Sequence, residues 1–275
     1  MNSPQTPAIS AAKGRTFSAI RILLPIVVLA AGLAAWEAVV RINDIPPYVL
    51  PAPSAIFKSL IDDWPVLSRS LLVTLMTTLE GFVAAAVGGI ALALLFNQSK
   101  WLEYSLFPYA VILQVTPIIA IAPLLLIYLP QQTAVVVCAW IVGFFPVLAN
   151  TTLGLNSVDR NLAGLFQLYG ASRLQTLRYL KLPAALPFIL GGLRIAGGLS
   201  LIGAVVAEIA AGSASTGDSG LAYRISESGY RLLIPRMFAA LLLLSVAGIV
   251  IYGLLALTSH LILRRWHESA LGKEN

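Results

Sequence analysis

Charge is what this chain has least of. Of its 275 residues only 11% are Asp, Glu, Lys or Arg, against 58% that are hydrophobic. Soluble globular domains carry about 25% charged residues, so a single water-soluble core is excluded. Cysteine is scarcer still. The lone Cys138 lies in an apolar run, which rules out a disulfide framework and a cysteine-based metal site. Histidine occurs twice, as His260 and His267, with no Cys or carboxylate at ligand spacing beside either, so no metal site and no cofactor are expected. Asp218 and Ser219 fall in a Gly/Ser-rich loop far from both histidines in the topology, so no Ser/His/Asp set can be assembled. No G-x-x-x-x-G-K-[ST] phosphate loop occurs either, which leaves the chain no recognisable means of cradling ATP. There is no visible repeat of the solenoid kind and no likeness between the two halves. The expectation is a subunit that is not itself an enzyme.

Long apolar runs take the place of what is missing. Crossing about 30 Å of hydrocarbon requires roughly 20 residues of helix. Six runs qualify, at about 22–40, 70–96, 106–129, 133–152, 188–211 and 236–263. The fold class expected is an all-α membrane protein of six transmembrane helices. The polar start "MNSPQTPAISAAKGRTFSAIR" leads into the first run without a small-residue cleavage site, so that run is read as a retained span. The chain then divides into a tail (1–21), a first span with an outer segment (22–65), a core of five spans (66–266) and a second tail (267–275). In the outer segment "SAIFKSLIDDW" reads as a short interfacial helix with Ser54 as its N-cap. With the N-terminus inside, eleven Lys and Arg fall on the cytoplasmic side and six outside, Arg194 lying within the fifth run. Positive-inside bias then puts both ends in the cytoplasm. It also accounts for the net charge of +6 without a nucleic-acid partner.

A carboxylate inside a span is costly and needs a reason. Glu37, near the outer end of the first run, reads as a snorkelling side chain. Glu80 in "TTLEGF" pairs with a basic group or accepts bonds from threonines, or else lines a route for solute. Glu208 in "VVAEIAAG" is either packed or in contact with solute. Arg194 is expected to hold neighbouring loop carbonyls. Pro117 and Pro123 break the backbone ladder of the third run, as a flexible joint or a fixed kink. Gly191, Gly192, Gly197, Gly198 and Gly203 let helices approach closely.

One internal stretch suits water, "NLAGLFQLYGASRLQTLRYLKLPAALP" from Asn161 to Pro187. Leu162, Leu165, Phe166 and Tyr169 recur at helical spacing, Gly170-Ala171 breaks the pattern, and Leu174, Leu177 and Leu180 begin a second face. Pro183 and Pro187 are expected to close the segment. The result is two short helices at a glycine hinge, with an apolar patch flanked by Arg173, Arg178 and Lys181. Such an element either docks in a groove on a partner or rests on lipid headgroups.

The stretch resembles the cytoplasmic loop of permease subunits of bacterial ABC importers. Gly170 and Leu182-Pro183 match that motif, while Gly164, Leu165 and Phe166 stand where the family has Glu-Ala-Ala. "YVLPAPSAIF", "TLEGFVAAAVGG", "TPIIAIAPLLLIY" and "GLRIAGGLSLIGAVVAE" are similar, in the same order, to the nitrate, sulfonate and taurine subgroup. The resemblance implies a type I importer permease fold in the bacterial inner membrane. It implies a second permease copy as homodimer partner, a separate ABC ATPase and an extracytoplasmic solute-binding protein. ATPase coupling would fall to Leu165, Phe166, Gln167, Tyr169, Gly170, Ala171, Arg173, Leu182 and Pro183. The translocation pathway would include Glu80, Pro117 and Glu208. The solute would be small and anionic or heteroaromatic, of the nitrate, sulfonate, taurine or vitamin-precursor kind. The competing reading is a stand-alone secondary transporter or channel, for which Glu80 and Glu208 are the only candidate ion-coupling groups. A membrane-embedded enzyme lacks any catalytic constellation.

Overall fold

A computed structural model describes residues 10–212 and 219–264. In hydrocarbon a backbone must satisfy its own polar groups, and a helix does so within one segment. The apolar runs accordingly fold as helices: α1 (Ser10–Ile42), α2 (Pro53–Asp62), α3 (Trp64–Gln98), α4 (Lys100–Val115), α5 (Ile118–Tyr128) and α6 (Gln131–Asn156). Two short helices follow, α7 (Arg160–Leu168) and α8 (Arg173–Thr176), and a π-helical turn over Leu177–Lys181 leads into α9 (Leu182–Ala211). The chain continues through α10 (Leu221–Tyr230) and α11 (Ile234–Leu263). Among the described residues five helical rods are long and apolar enough to cross a membrane, and α4 with α5 supplies a sixth as a bent pair.

The third span expected over 106–129, with its ladder broken at Pro117 and Pro123, is bent at Pro117 alone. The axes of α4 and α5 differ by 98°. Pro117 has no N–H to offer the carbonyl of Leu113. Thr116 meanwhile ends α4 by giving both its N–H (3.1 Å) and its Oγ1–H (2.7 Å) to the Ile112 carbonyl. Pro123 lies inside α5 without ending it.

The centre of the bundle is α3, α6 and α9. Small residues set their spacing: a Cβ on Gly203 would come within 2.7 Å of the Cys138 carbonyl, and one on Gly81 would collide with Ala139. Gly81, Ala139 and Gly203 therefore share one level, at the middle of α3, eight residues from the Gln131 end of α6 and eight from the Ala211 end of α9. Gly89 packs on Val147, and Gly192 on Pro146 and Asn150, so α3 and α6 run parallel and α9 runs against them. Phe96, Leu155, Ala185 and Ile189 fill the core at the end nearest α7.

At the other end α1 is tied down by two contacts. Trp36 packs on Phe238 with ring centroids 5.9 Å apart. Glu37, at the outer end of its span, takes an ion pair from Arg41 (2.6 Å) and accepts from the Ser54 N–H (3.0 Å) and Oγ (2.7 Å). Ser54 is consequently not the N-cap of α2. Ala52 holds that position, Pro53 starts the helix, and the Ser54 hydroxyl is spent on Glu37. Asp63, between α2 and α3, pairs with Arg236 of α11 and accepts from Ser59 Oγ at 2.8 Å. The Arg236 hydrogen bond holds the Asp63 carboxyl below its ordinary range.

Candidate functional site

The amphipathic segment is built by capping. Asp159 starts α7 by accepting the Asn161 N–H at 2.6 Å. α7 ends in a Schellman turn: the Gly170 N–H reaches the Gln167 carbonyl (3.0 Å), and the Ala171 N–H reaches that of Phe166 (2.9 Å). The turn needs the left-handed region, and Gly170 supplies it with φ +66°, where any other residue would be strained by roughly 1–2 kcal/mol. Ser172 then opens α8 with a capping box, accepting from the Gln175 N–H (3.2 Å) while its own N–H donates to Gln175 Oε1 (2.8 Å). The two short helices at a glycine turn expected from the periodicity are there. Leu168 and Tyr169 stand 87% and 83% exposed at the tip, and Leu165 is exposed beside them. Arg173 and Arg178 are also exposed.

The close of the segment differs from expectation. Pro183 and Pro187 do not end a helix, and a single helical rod runs from Arg173 to Ala211. The missing N–H of Pro183 is absorbed by a wider turn, in which the Leu182 N–H skips one residue and bonds the Leu177 carbonyl. Lys181 moors this turn to the end of α3 through Asn97 Oδ1 at 3.1 Å. Leu182 and Pro183 are thus the start of a span and not the stop of a loop. Arg194 does not hold the loop carbonyls either. It lies thirteen residues beyond Lys181 along the rod, about 20 Å away, and its guanidinium rests over the Tyr252 ring at 5.9 Å with Nε unpartnered.

The three residues expected on a solute route lie in three separate places. Glu208 is 3% exposed. Its two oxygens lie 2.8 and 3.1 Å from Thr74 Oγ1, and one accepts the Ala222 N–H at 3.0 Å. Thr74 Oγ1 in turn accepts the Leu221 N–H at 2.8 Å. The carboxylate therefore serves the first turn of α10, where the exposed N–H groups favour negative charge. It leaves no room for a Cβ on Gly220. It also forms part of the wall of a cavity of about 450 Å³ with Arg69, Met76, Thr77, Gln131 and Gln132. Glu80 is exposed on α3, level with the central crossing, and has no hydrogen bond or ion pair among the described residues. The nearby Thr77 hydroxyl turns back on the carbonyls of Val73 (3.1 Å) and Thr74 (3.2 Å), so the expected threonine bond is not made. Pro117 lines a second cavity, of about 340 Å³, between the α4–α5 break, α6 and α9.

Sequence reasoning missed Thr74, although it stands one helical turn and a half before the flagged Glu80. It also missed Pro146, which faces Pro117 across the second cavity. His260 is exposed at the end of α11. His267 and Asp218 lie outside the described residues.

Membrane-spanning rods around a broken helix, one cavity at that break and another at the α10 end, and a rigidly capped basic hairpin at the opposite end are the build of a membrane permease. Over residues 85–264 the chain belongs to the family of binding-protein-dependent transport system inner membrane components. It is similar to the riboflavin transport system permease of Chloroflexus aurantiacus, at 32% identity over 86% of this chain and 87% of that one. It is also similar to the formylaminopyrimidine transport permease of Halalkalibacterium halodurans, at 34% identity over 78% of this chain and 84% of that one. The crystal structure of an amino acid ABC transporter with histidines shares its fold, at TM-score 0.59 and 23% identity over 74% of this chain and 97% of the other. The protein is a multi-pass inner-membrane permease subunit of an ABC importer for a small solute. The stand-alone transporter or channel is not favoured.

Proposed function

We propose that two copies of this chain form the translocation pathway and that a separate ABC ATPase drives them through the α7–α8 hairpin. The observation that carries this reading is the hairpin itself. A Schellman turn and a capping box hold Leu165, Leu168 and Tyr169 exposed at its tip beside Arg173. A surface helix on lipid needs no such rigid tip, whereas a lever seated in a cleft does. Leu165, Phe166, Gln167, Tyr169, Gly170, Ala171 and Arg173 form the seat. Leu182 and Pro183 pass its motion into α9. A solute-binding protein delivers solute at the α10 end, and both termini lie on the ATPase side. The core from residue 66 to 266 is the transport unit, with the first span and the tails accessory to it. Glu80 and Pro117 face the pathway, and Glu208 is the fastener at its outer end.

The test is co-expression with a candidate ABC ATPase, followed by co-purification and ATPase assays in liposomes. Gly170→Val and Leu165→Asp should each cut co-purification or transport-coupled ATPase activity about tenfold or more while membrane insertion stays intact. Uphill solute uptake by liposomes holding this chain alone would overturn the proposal.

A further inference from the structure

Three helix ends meet at one level on the hairpin side of the bundle. Gly81 packs on Ala139 and Gly89 on Val147, so the parallel α3 and α6 keep one register. In that register Gln98 lies beside Asn156, and both helices end together. α4 starts from the same level at Lys100. Asn97, Ser99, Ser157 and Asp159 gather further polar side chains there. Trp101 and Tyr104 stand 74% and 75% exposed beside them. Exposed Trp and Tyr next to polar helix ends mark the headgroup level of a bilayer.

A third cavity, of about 460 Å³, opens at this level between α4 and α6. It runs inward from Asn156 to Ala149, about 10 Å along the helix at 1.5 Å per residue. Its wall changes character on the way. Glu103 and Asn156 line the mouth, while Phe107, Pro108 and Ala149 line the floor. Ring contacts with Phe96 (6.4 Å between centroids) and Phe145 (6.1 Å) hold Phe107 in place. The polar groups at the mouth are only half spent. Glu103 accepts from Lys100 Nζ through Oε2 (2.6 Å), and Asn156 Nδ2 donates to the Thr152 carbonyl (2.9 Å). Glu103 Oε1 and Asn156 Oδ1 have no hydrogen bond among the described residues. The Thr152 hydroxyl, on the same wall, is buried without a partner.

A slot that is polar at headgroup level and apolar beneath it matches an amphiphile standing along the membrane normal. Two free oxygen acceptors at the mouth, one of them charged, call for an N–H cation, and charge-assisted bonds are about twice as strong as neutral ones. The exposed Lys100, paired with Glu103, adds a cation for an anionic group. Opposite charges side by side complement a zwitterion, with its ammonium at Glu103 and Asn156 and its phosphate at Lys100. A choline headgroup has no N–H to give, and a glycerol headgroup brings net negative charge to Glu103. The volume lies within the range of about 300–1,000 Å³ usual for small-molecule sites, room for a headgroup and the start of one acyl chain. We infer that the slot between α4 and α6 binds one phospholipid of the ethanolamine class, which braces α4 on the hairpin side of the Pro117 break. This goes beyond the importer reading and does not depend on it, nor on which side of the membrane the hairpin faces.

The experiment purifies the full chain with a candidate ABC ATPase in mild detergent and strips bound lipid. Native mass spectrometry then follows titration with the dioleoyl phosphatidyl-ethanolamine, -choline and -glycerol lipids. The ethanolamine lipid binds saturably, about tenfold or more tighter than either of the others. Ala149→Trp, which fills the floor, weakens it about tenfold or more, and Glu103→Gln, which keeps an acceptor but not its charge, weakens it about threefold or more. Ile127→Trp, at a 71% exposed position on α5, leaves it unchanged. Should Ala149→Trp fail to insert, Glu103→Gln decides. The inference is overturned if the choline or glycerol lipid binds as tightly, or if neither slot variant weakens the ethanolamine lipid. Subunit content is read in the same spectra. Slot variants that shed a second copy or the ATPase while lipid binding holds would make the slot a seam between proteins, which also overturns it. If the ATPase never associates, the importer reading falls, and the lipid titration is decided on the permease alone.

Discussion

The Glu208 carboxylate joins three elements, since Thr74 belongs to α3, Ala222 to α10 and Glu208 itself to α9. Removing it leaves the Ala222 N–H and the Thr74 hydroxyl buried without an acceptor, and each such loss costs about 1–3 kcal/mol. Glu208→Ala is therefore expected to lower thermal stability in detergent clearly, while Glu208→Gln, which keeps an acceptor, loses less. Thr74→Val, which strands the Leu221 N–H, should fall by a similar 1–3 kcal/mol. A Glu208 that served solute alone would leave the melting temperature of its Ala variant at the wild-type value. The sequence marked Glu208 and Glu80 as costly, because a charge in an apolar run is visible in one dimension. It did not show that one is fastened and the other exposed. That depends on a threonine 134 residues away and on which face of α3 each position takes.

At the scale of elements, periodicity and glycine made the α7–α8 hairpin legible before any coordinates, since its caps are all local. The end of the hairpin was misread because proline is read as a stop. A π turn needs one unpaired carbonyl and a tertiary mooring, here Lys181 on Asn97, and neither is local. Likewise the third span was legible as an apolar run, but its 98° break follows from cooperation between Thr116 and Pro117. The ion pair that ties Asp63 to α11 gives a pH test. The folded carboxyl lies below its unfolded value of about 3.8, so its stabilisation is present in full above that value. It is lost as pH falls through the folded value. The gap in melting temperature between wild type and Asp63→Asn should be open at neutral pH and should close in acid below about 3.8. A gap that widens on acidification would contradict the pairing.

For the whole molecule, the parallel α3 and α6 and the opposed α9 depend on small residues at one level. Gly203→Leu puts a side chain into the Cys138 backbone, and overpacking of this kind costs about 1–3 kcal/mol. Gly198→Leu, which meets open space, should be tolerated, and a comparison of expression and melting of the two variants checks the crossing. Orientation can be checked with the same chain, because its single native cysteine is buried. Leu168→Cys should react with an impermeant maleimide only in inside-out vesicles. Both the proposed terminal placement and the proposed ATPase-facing side of the hairpin depend on that outcome. Six apolar runs gave the span count, but no one-dimensional pattern reveals which rods touch.

The π turn makes α8 and α9 one shaft of 39 residues, about 58 Å long at 1.5 Å per residue. Arg173 sits at its lower tip, Leu199 beside the cavity at the α4–α5 break and Glu208 near its upper tip. Any torque applied below is felt at the cavity and at the outer latch in the same stroke, with no slack joint between. On the proposed coupling, a push at the hairpin and the release of the outer fastener are then not separate signals passed along a chain of parts but two ends of a single crankshaft.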